Sequence, residues 1–182
     1  MPDSVVVHDS IVRLVKGDIT DLEIESFVYY ARHDLQLGSG FGTAITQRGG
    51  STIQEELAGR GELSTTQVVV SGAGNLKAQF IIHAVGPRFQ EEDLAAKLRA
   101  TVLNCLTAAE QKGLKQIAFP AMGAGFYGVP LETSAEVTLQ AVRDYLAGDT
   151  DIEEVVICLL DNREYAPFRK KLTESQMATP RA

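Results

Sequence analysis

In the run KQIAFPAMGAGFYGVPLE, Gly123, Gly125 and Gly128 have the GxGxxG spacing of a dinucleotide-binding turn. Glycine lets such a backbone bend tightly, and amides left free beside a helix N-terminus can hold an anion without any lysine. A second glycine-rich run, LQLGSGFGTAI from Leu35 to Ile45, also leads into a helical pattern. Two such loops suit a diphosphate gripped from both sides, and equally glycines that serve only the positive-φ geometry of turns. A third segment, VKGDIT, breaks a strand at Gly17 and presents the Asp18 carboxylate at its end. That carboxylate only accepts hydrogen bonds, and it suits either a ligand donor or the cap of a turn at Thr20. The GxGxxG spacing does not by itself make a Rossmann enzyme. That fingerprint normally opens its domain, whereas here more than a hundred residues precede it and one strand, near Val155 to Leu160, follows.

Other reactive side chains are sparse. His83, inside FIIHAV, reads as a hydrogen-bonded core or strand-end histidine. His33, flanked by Arg32 and Asp34 in ARHDLQLGSG, is the one histidine in a candidate site loop, and no nucleophile is placed to complete a triad with it. Cys105 and Cys158 lie in apolar helical and strand patterns and read as small core residues. With no CxxC or Cys/His spacing, no metal site is expected, and no cofactor is called for. The acids in QEE, Gln54 to Glu56, read as the solvated face of a helix.

The elements that must position these loops alternate along the chain. Strand patterns cover Val5 to Val7, Ile11 to Lys16, Ser26 to Tyr30, Thr66 to Ser71, Phe80 to Val85, Gln116 to Phe119 and Glu154 to Leu160. Helical patterns cover Gly42 to Arg48, Thr52 to Ala58, Glu92 to Lys112, Leu131 to Leu146 and Tyr165 to Leu172. The runs FVYY, FIIHAV and VVICLL are nearly continuously apolar, so the sheet should be mixed, buried on both faces and part of a three-layer α/β/α fold. At 182 residues, with 45% hydrophobic and 23% charged side chains, one globular domain over 1–172 is expected, followed by a flexible polar tail, TESQMATPRA. A net charge of −7 argues against broad binding to nucleic acid. No apolar run reaches the length of a membrane span and the start lacks a signal-peptide pattern, which makes the cytoplasm the expected compartment.

In this order and spacing, GDIT at Gly17, FVYYA with GSGFGTAI, VVVSGAGNLKAQFIIHAVGP from Val68, IAFPAMGAGFYGVP from Ile117 and VVICLLDNREYAPF from Val155 resemble the macrodomain family, which binds ADP-ribose. The likeness runs from about Val12 to Leu172, and around NCLTAAEQKGLKQIAFPAMGAG it looks closest to the macrodomain of macro-histones, a binding branch. The resemblance implies that Asp18 accepts from the adenine amino group while the amide of Ile19 supports the ring. It implies that Gly38, Ser39, Gly40 and Phe41 line one side of the diphosphate and distal ribose, and that Gly123, Ala124, Gly125 and Phe126 grip the phosphates from the other. Tyr127 would pack against the distal ribose. Leu160, followed by Asp161, would meet adenine where many relatives place an aromatic ring, giving apolar contact without stacking.

The departures bear on mechanism. Hydrolases of the family end the strand before the glycine loop in an NAAN pattern, and many carry an aspartate just past the glycines. Here those positions are Tyr29-Tyr30-Ala31-Arg32 and Gly42. Arg32 stays protonated and cannot act as a general base, but it can clamp an anion near the distal ribose. The resemblance therefore implies recognition of free ADP-ribose, or of its terminal unit on a modified protein, without efficient hydrolysis. Two alternatives stand beside it. One is a hydrolase or O-acetyl-ADP-ribose deacetylase that activates water through the ligand's phosphate, His33 or Asp34. The other is an RNA or poly-ADP-ribose binder using Arg32, Arg48, Arg60 and Arg88, against which the net charge weighs.

Overall fold

The computed structural model describes residues 3–38 and 40–178. Seven strands form one sheet in the order β1-β2-β7-β6-β3-β5-β4. The hairpin β1 (Ser4–Val7) and β2 (Ser10–Lys16) makes one edge, where β2 alternates buried Val12 and Leu14 with exposed Ile11 and Arg13. This is the period of a half-covered strand. The inner strands β3 (Ser26–Tyr30), β6 (Gln116–Phe119) and β7 (Glu154–Leu159) are buried almost throughout, as their continuous apolar runs require. The other edge pairs β4 (Val68–Gly72) antiparallel to β5 (Phe80–Ala84), while β2, β7, β6, β3 and β5 all run parallel to one another. The sheet is therefore mixed, as expected.

Alternate residues of each inner strand enter opposite cores. On one face Val28, Ile117, Phe119 and Val155 pack under α3 (Leu94–Gln111), α4 (Leu131–Leu146) and α5 (Asn162–Ala178) through Leu98, Leu139 and Phe168. On the other, Phe27, Ala118 and Val156 meet Ile45 of α1 (Phe41–Gly49) and Ile53 and Leu57 of α2 (Thr52–Ala58). The result is three layers, α/β/α.

Helix α5 departs most from the expected bounds. It begins a turn before Tyr165 and continues through Thr173, where a flexible tail is expected, to Ala178. Its start is set by Asp161, whose carboxylate accepts from the Glu164 amide at 3.0 Å, while Glu164 Oε1 accepts from the Leu160 amide at 2.8 Å. This is close to a reciprocal capping box, and DNRE is its sequence signature. Its extension past Leu172 needs no apolar periodicity at Thr173 and Glu174, which are exposed and make local bonds, Thr173 Oγ1 to the Arg169 carbonyl and Glu174 to Lys171. The rest of that expected tail, 179–182, lies outside the described residues.

Candidate ligand-binding site

Parallel strands put their C-terminal ends on one edge of the sheet. There β3 and β6 pair at Phe27 and Ala118, and the chain then leaves them for opposite faces, to α1 after β3 and to α4 after β6. A crevice at such a divergence is where open α/β sheets place ligands. A cavity of about 590 Å³ lies at this edge, a volume suited to a nucleotide-sized ligand. Its walls include Tyr29 and Tyr30 at the end of β3, Pro120 and Ala121 after β6, and Cys158 at the end of β7.

Both glycine loops reach it. Gly40 is the N-cap of α1 at φ +60°, and it and Phe41 line the cavity, so the N-terminus of α1, without a side-chain cap among the described residues, faces the space. Gly38 does not line it. Its carbonyl accepts from Thr43 Oγ1 at 3.0 Å, and a Cβ there would lie 3.1 Å from the Arg32 guanidinium. Ser39 lies outside the described residues. Opposite, Gly123, Ala124, Gly125, Phe126 and Tyr127 all line the cavity, with Gly125–Tyr127 forming a 3-10 turn. Gly123 is required at φ +74°, because a Cβ would sit 2.5 Å from Val129 Cγ2. Gly125, at φ +78°, has nothing within 4 Å of that position. Phe126 is almost fully exposed at the rim, set edge-on against Tyr127, whose ring in turn rests on Tyr30.

Of the residues expected at the far end, Ile19 and Leu160 line the cavity and Asp18 and Asp161 do not. Asp161 is the α5 cap. Asp18 caps the 3-10 turn Ile19–Asp21, accepting from the Thr20 amide at 2.9 Å and hydroxyl at 2.6 Å, and from Arg48 at 3.2 Å. Burial opposes the charge on Asp18, but the Thr20 bonds and the Arg48 cation outweigh it and hold the carboxyl below its ordinary range. Arg32 lines the cavity and pairs with Asp34 at 2.8 Å. His33 turns away, its Nδ1 2.8 Å from the Leu63 carbonyl.

Several wall and support residues have roles here that the sequence patterns do not assign to them. Tyr30 reaches the α3/α4 face, where its hydroxyl donates to the Pro87 carbonyl. Arg88 and Arg163 join Arg32 as cations on the cavity wall. Gln54, read as part of a solvated face, clamps the approach to the first loop: its Oε1 accepts from the Leu37 amide at 2.9 Å and its Nε2 donates to the Leu35 carbonyl at 3.2 Å. Glu56 of the same run accepts from the Gly72 amide at 3.0 Å. The signal available for the wall residues was their place at the C-terminal ends of parallel strands.

Burial holds the phenols and the thiol on the wall in their neutral forms. Burial pushes the Tyr29 phenol up to about 12, with Tyr127 adding to the shift and Arg32 opposing it. Burial also raises Tyr30 and Tyr127, the latter against the pull of Arg88 and Arg32. The Cys158 thiol is pushed up to about 12, by burial first and then by Asp18 and Glu164, and it donates to the Gly17 carbonyl at 3.5 Å. Glu164 is the one carboxylate among the described residues lining the cavity, and it is committed to the Leu160 amide. Such a wall can hold an anion and hydrogen-bond a sugar. Among the described residues lining the cavity there is no histidine, and the one thiol, Cys158, points to the Gly17 carbonyl.

The four arginines of the suggested basic patch are mostly occupied. Arg48 meets Asp18 and Asp21, Arg32 meets Asp34, and Arg60 lies 3.9 Å from Glu56. Among the described residues no helix is long and apolar enough to cross a membrane, and no group of His, Cys, Asp and Glu could hold a metal ion.

Comparison with known proteins agrees with this architecture. The Macro domain family model matches residues 30–138. A macro domain-containing protein of Caldanaerobacter subterraneus subsp. tengcongensis is 38% identical over 172 residues, covering 90% of this chain and 96% of the relative. The Oceanobacillus iheyensis macrodomain solved with ADP superposes with a TM-score of 0.91 at 26% identity, covering 97% of both chains. A variant of it solved with ADPR gives 0.91 at 27% identity over 96% of this chain and 98% of that one. The Trypanosoma brucei macrodomain in complex with ADP-ribose gives 0.83 at 25% identity, covering 88% of this chain and 68% of that one. On the family match, the identity over nearly the full length and the shared fold, this chain belongs to the Macro domain family.

Proposed function

We propose that this protein binds ADP-ribose, free or as the terminal unit of a modified protein, and does not hydrolyse it efficiently. The observation that carries this reading is one cavity bounded by two glycine-rich loops from opposite faces of the sheet, with the start of α1 on one side. In the proposed pose the diphosphate lies between Gly40–Phe41 and Gly123–Phe126. Adenine lies toward Ile19, Leu160 and the edge of Asp18, and the distal ribose lies by Tyr127 and Arg32. Backbone amides, the α1 dipole and three guanidiniums supply the local positive field that a chain of net charge −7 otherwise lacks. Relatives solved with ADP, ADPR and ADP-ribose support this ligand class.

The wall chemistry favours holding over cutting. His33 is turned to Leu63, Asp34 is paired with Arg32, and neither lines the cavity, so the groups that would activate water for a hydrolase are directed elsewhere. Calorimetric titration with ADP-ribose, with AMP and ribose 5-phosphate run separately, tests the binding. One-to-one binding of ADP-ribose much tighter than either fragment is expected, and absence of binding would overturn the reading. Incubation with an ADP-ribosylated protein should leave the modification in place. Turnover that disappears in His33→Ala or Asp34→Ala would establish the hydrolase instead.

A further inference from the structure

Tyr29 and Tyr30 are neighbours at the end of β3, so their side chains point to opposite faces of the sheet. Both line the cavity, but they are placed differently in one respect. The Tyr30 hydroxyl donates to Pro87, whereas the Tyr29 hydroxyl has no hydrogen-bond partner among the described residues. A largely buried phenol beside a cavity with no partner is a donor left for what enters the cavity.

Its position is tightly defined. A Cβ built on Gly42, in the first turn of α1, would lie 2.7 Å from the Tyr29 oxygen and 2.5 Å from the Leu37 carbonyl. The phenol oxygen thus sits in the space that any side chain at position 42 would need. The ring makes a T-shaped contact with His83, with centroids 6.0 Å apart and planes at 83°, and His83 is itself buried and bonded to Ser71 at 2.8 Å. Arg32 and Tyr127 line the same cavity as Tyr29, and both are close enough for their charges to act on the phenol.

We propose that Tyr29 is a specificity-determining residue of the cleft, whose hydroxyl donates to the distal ribose of the bound nucleotide from the space left by the missing side chain at Gly42. This rests on the ADP-ribose reading. The phenol remains protonated at neutral pH, so it grips an oxygen of the sugar without drawing a proton from water. It has no role toward a ligand that ends at the second phosphate.

The test is calorimetry of the wild type and Tyr29→Phe with ADP-ribose and with ADP. Phenylalanine keeps the ring on His83 and removes only the donor. The expected result is a roughly tenfold loss of ADP-ribose affinity, the size of one net hydrogen bond, with ADP affinity unchanged. Unchanged ADP-ribose affinity, or an equal loss for both ligands, would overturn the assignment. A wild type that binds ADP and ADP-ribose equally would overturn it while leaving a nucleotide site intact. A wild type that binds neither removes the ADP-ribose reading as well.

Discussion

Gly125 offers a perturbation in which the fold and the ligand site separate. At φ +78° any L-residue is strained, at a cost of about 1–2 kcal/mol, but a Cβ there meets nothing within 4 Å, so no packing penalty is added. Gly125→Ala should therefore lower stability by about that amount and stay folded. In Gly125→Glu the same strain applies, and a carboxylate enters the space proposed for the diphosphate. At a separation of about 5 Å and an effective dielectric near 20, its repulsion against one phosphate charge is about 3 kcal/mol, or more than a hundredfold in affinity. Gly125→Gln provides the neutral isostere. Urea unfolding should place the alanine, glutamine and glutamate variants within about 1 kcal/mol of one another. Calorimetry with ADP-ribose should then separate glutamate from glutamine by roughly two orders of magnitude, and the gap should narrow as salt rises. Equal affinities in the glutamate and glutamine variants would refute the placement of the phosphates. A glutamate variant that unfolds while the alanine variant does not would refute the claim of open space.

Asp18→Ala removes the cap of the Ile19–Asp21 turn and one of the two carboxylates that Arg48 meets, so a stability loss of about 1 kcal/mol is expected by thermal melting. The same variant should bind ADP-ribose and AMP more weakly but ribose 5-phosphate unchanged, since only the first two carry adenine. Gln54→Ala leaves the Leu37 amide and the Leu35 carbonyl without partners, and should cost about 1–2 kcal/mol and speed hydrogen exchange at Leu37. Protection at Leu37 equal to wild type would contradict the clamp. His83 is neutral in the fold because burial depresses its pKa from 6.5 to about 3, so below pH 6.5 the unfolded chain binds the extra proton and stability falls with pH. Wild type should lose about 1.4 kcal/mol per unit over that window relative to His83→Gln. Parallel stability curves for the two proteins would show that His83 protonates in place.

Much of the architecture is written locally. The apolar period of Leu131–Leu146 and the continuous runs of β3 and β6 match the observed bounds, because pattern and propensity act over a few residues. The glycines of the two loops were legible for the same reason, since positive φ and close approach leave few alternatives to glycine. The family followed from the order of these pieces.

What the sequence by itself determined was therefore the set of elements, the two glycine loops and the family. Only the tertiary structure decided what each polar side chain does, because partners far along the chain compete for it. Asp18 is shared with Arg48, thirty residues on, and Gln54 binds a loop nearly twenty residues earlier. Asp161 faces its own helix rather than the cavity, and Arg88 reaches the cavity from beyond β5. The opposite fates of Tyr29 and Tyr30, one hydroxyl bonded and one open, depend on which carbonyl each meets across the fold, and periodicity along one strand does not contain that information.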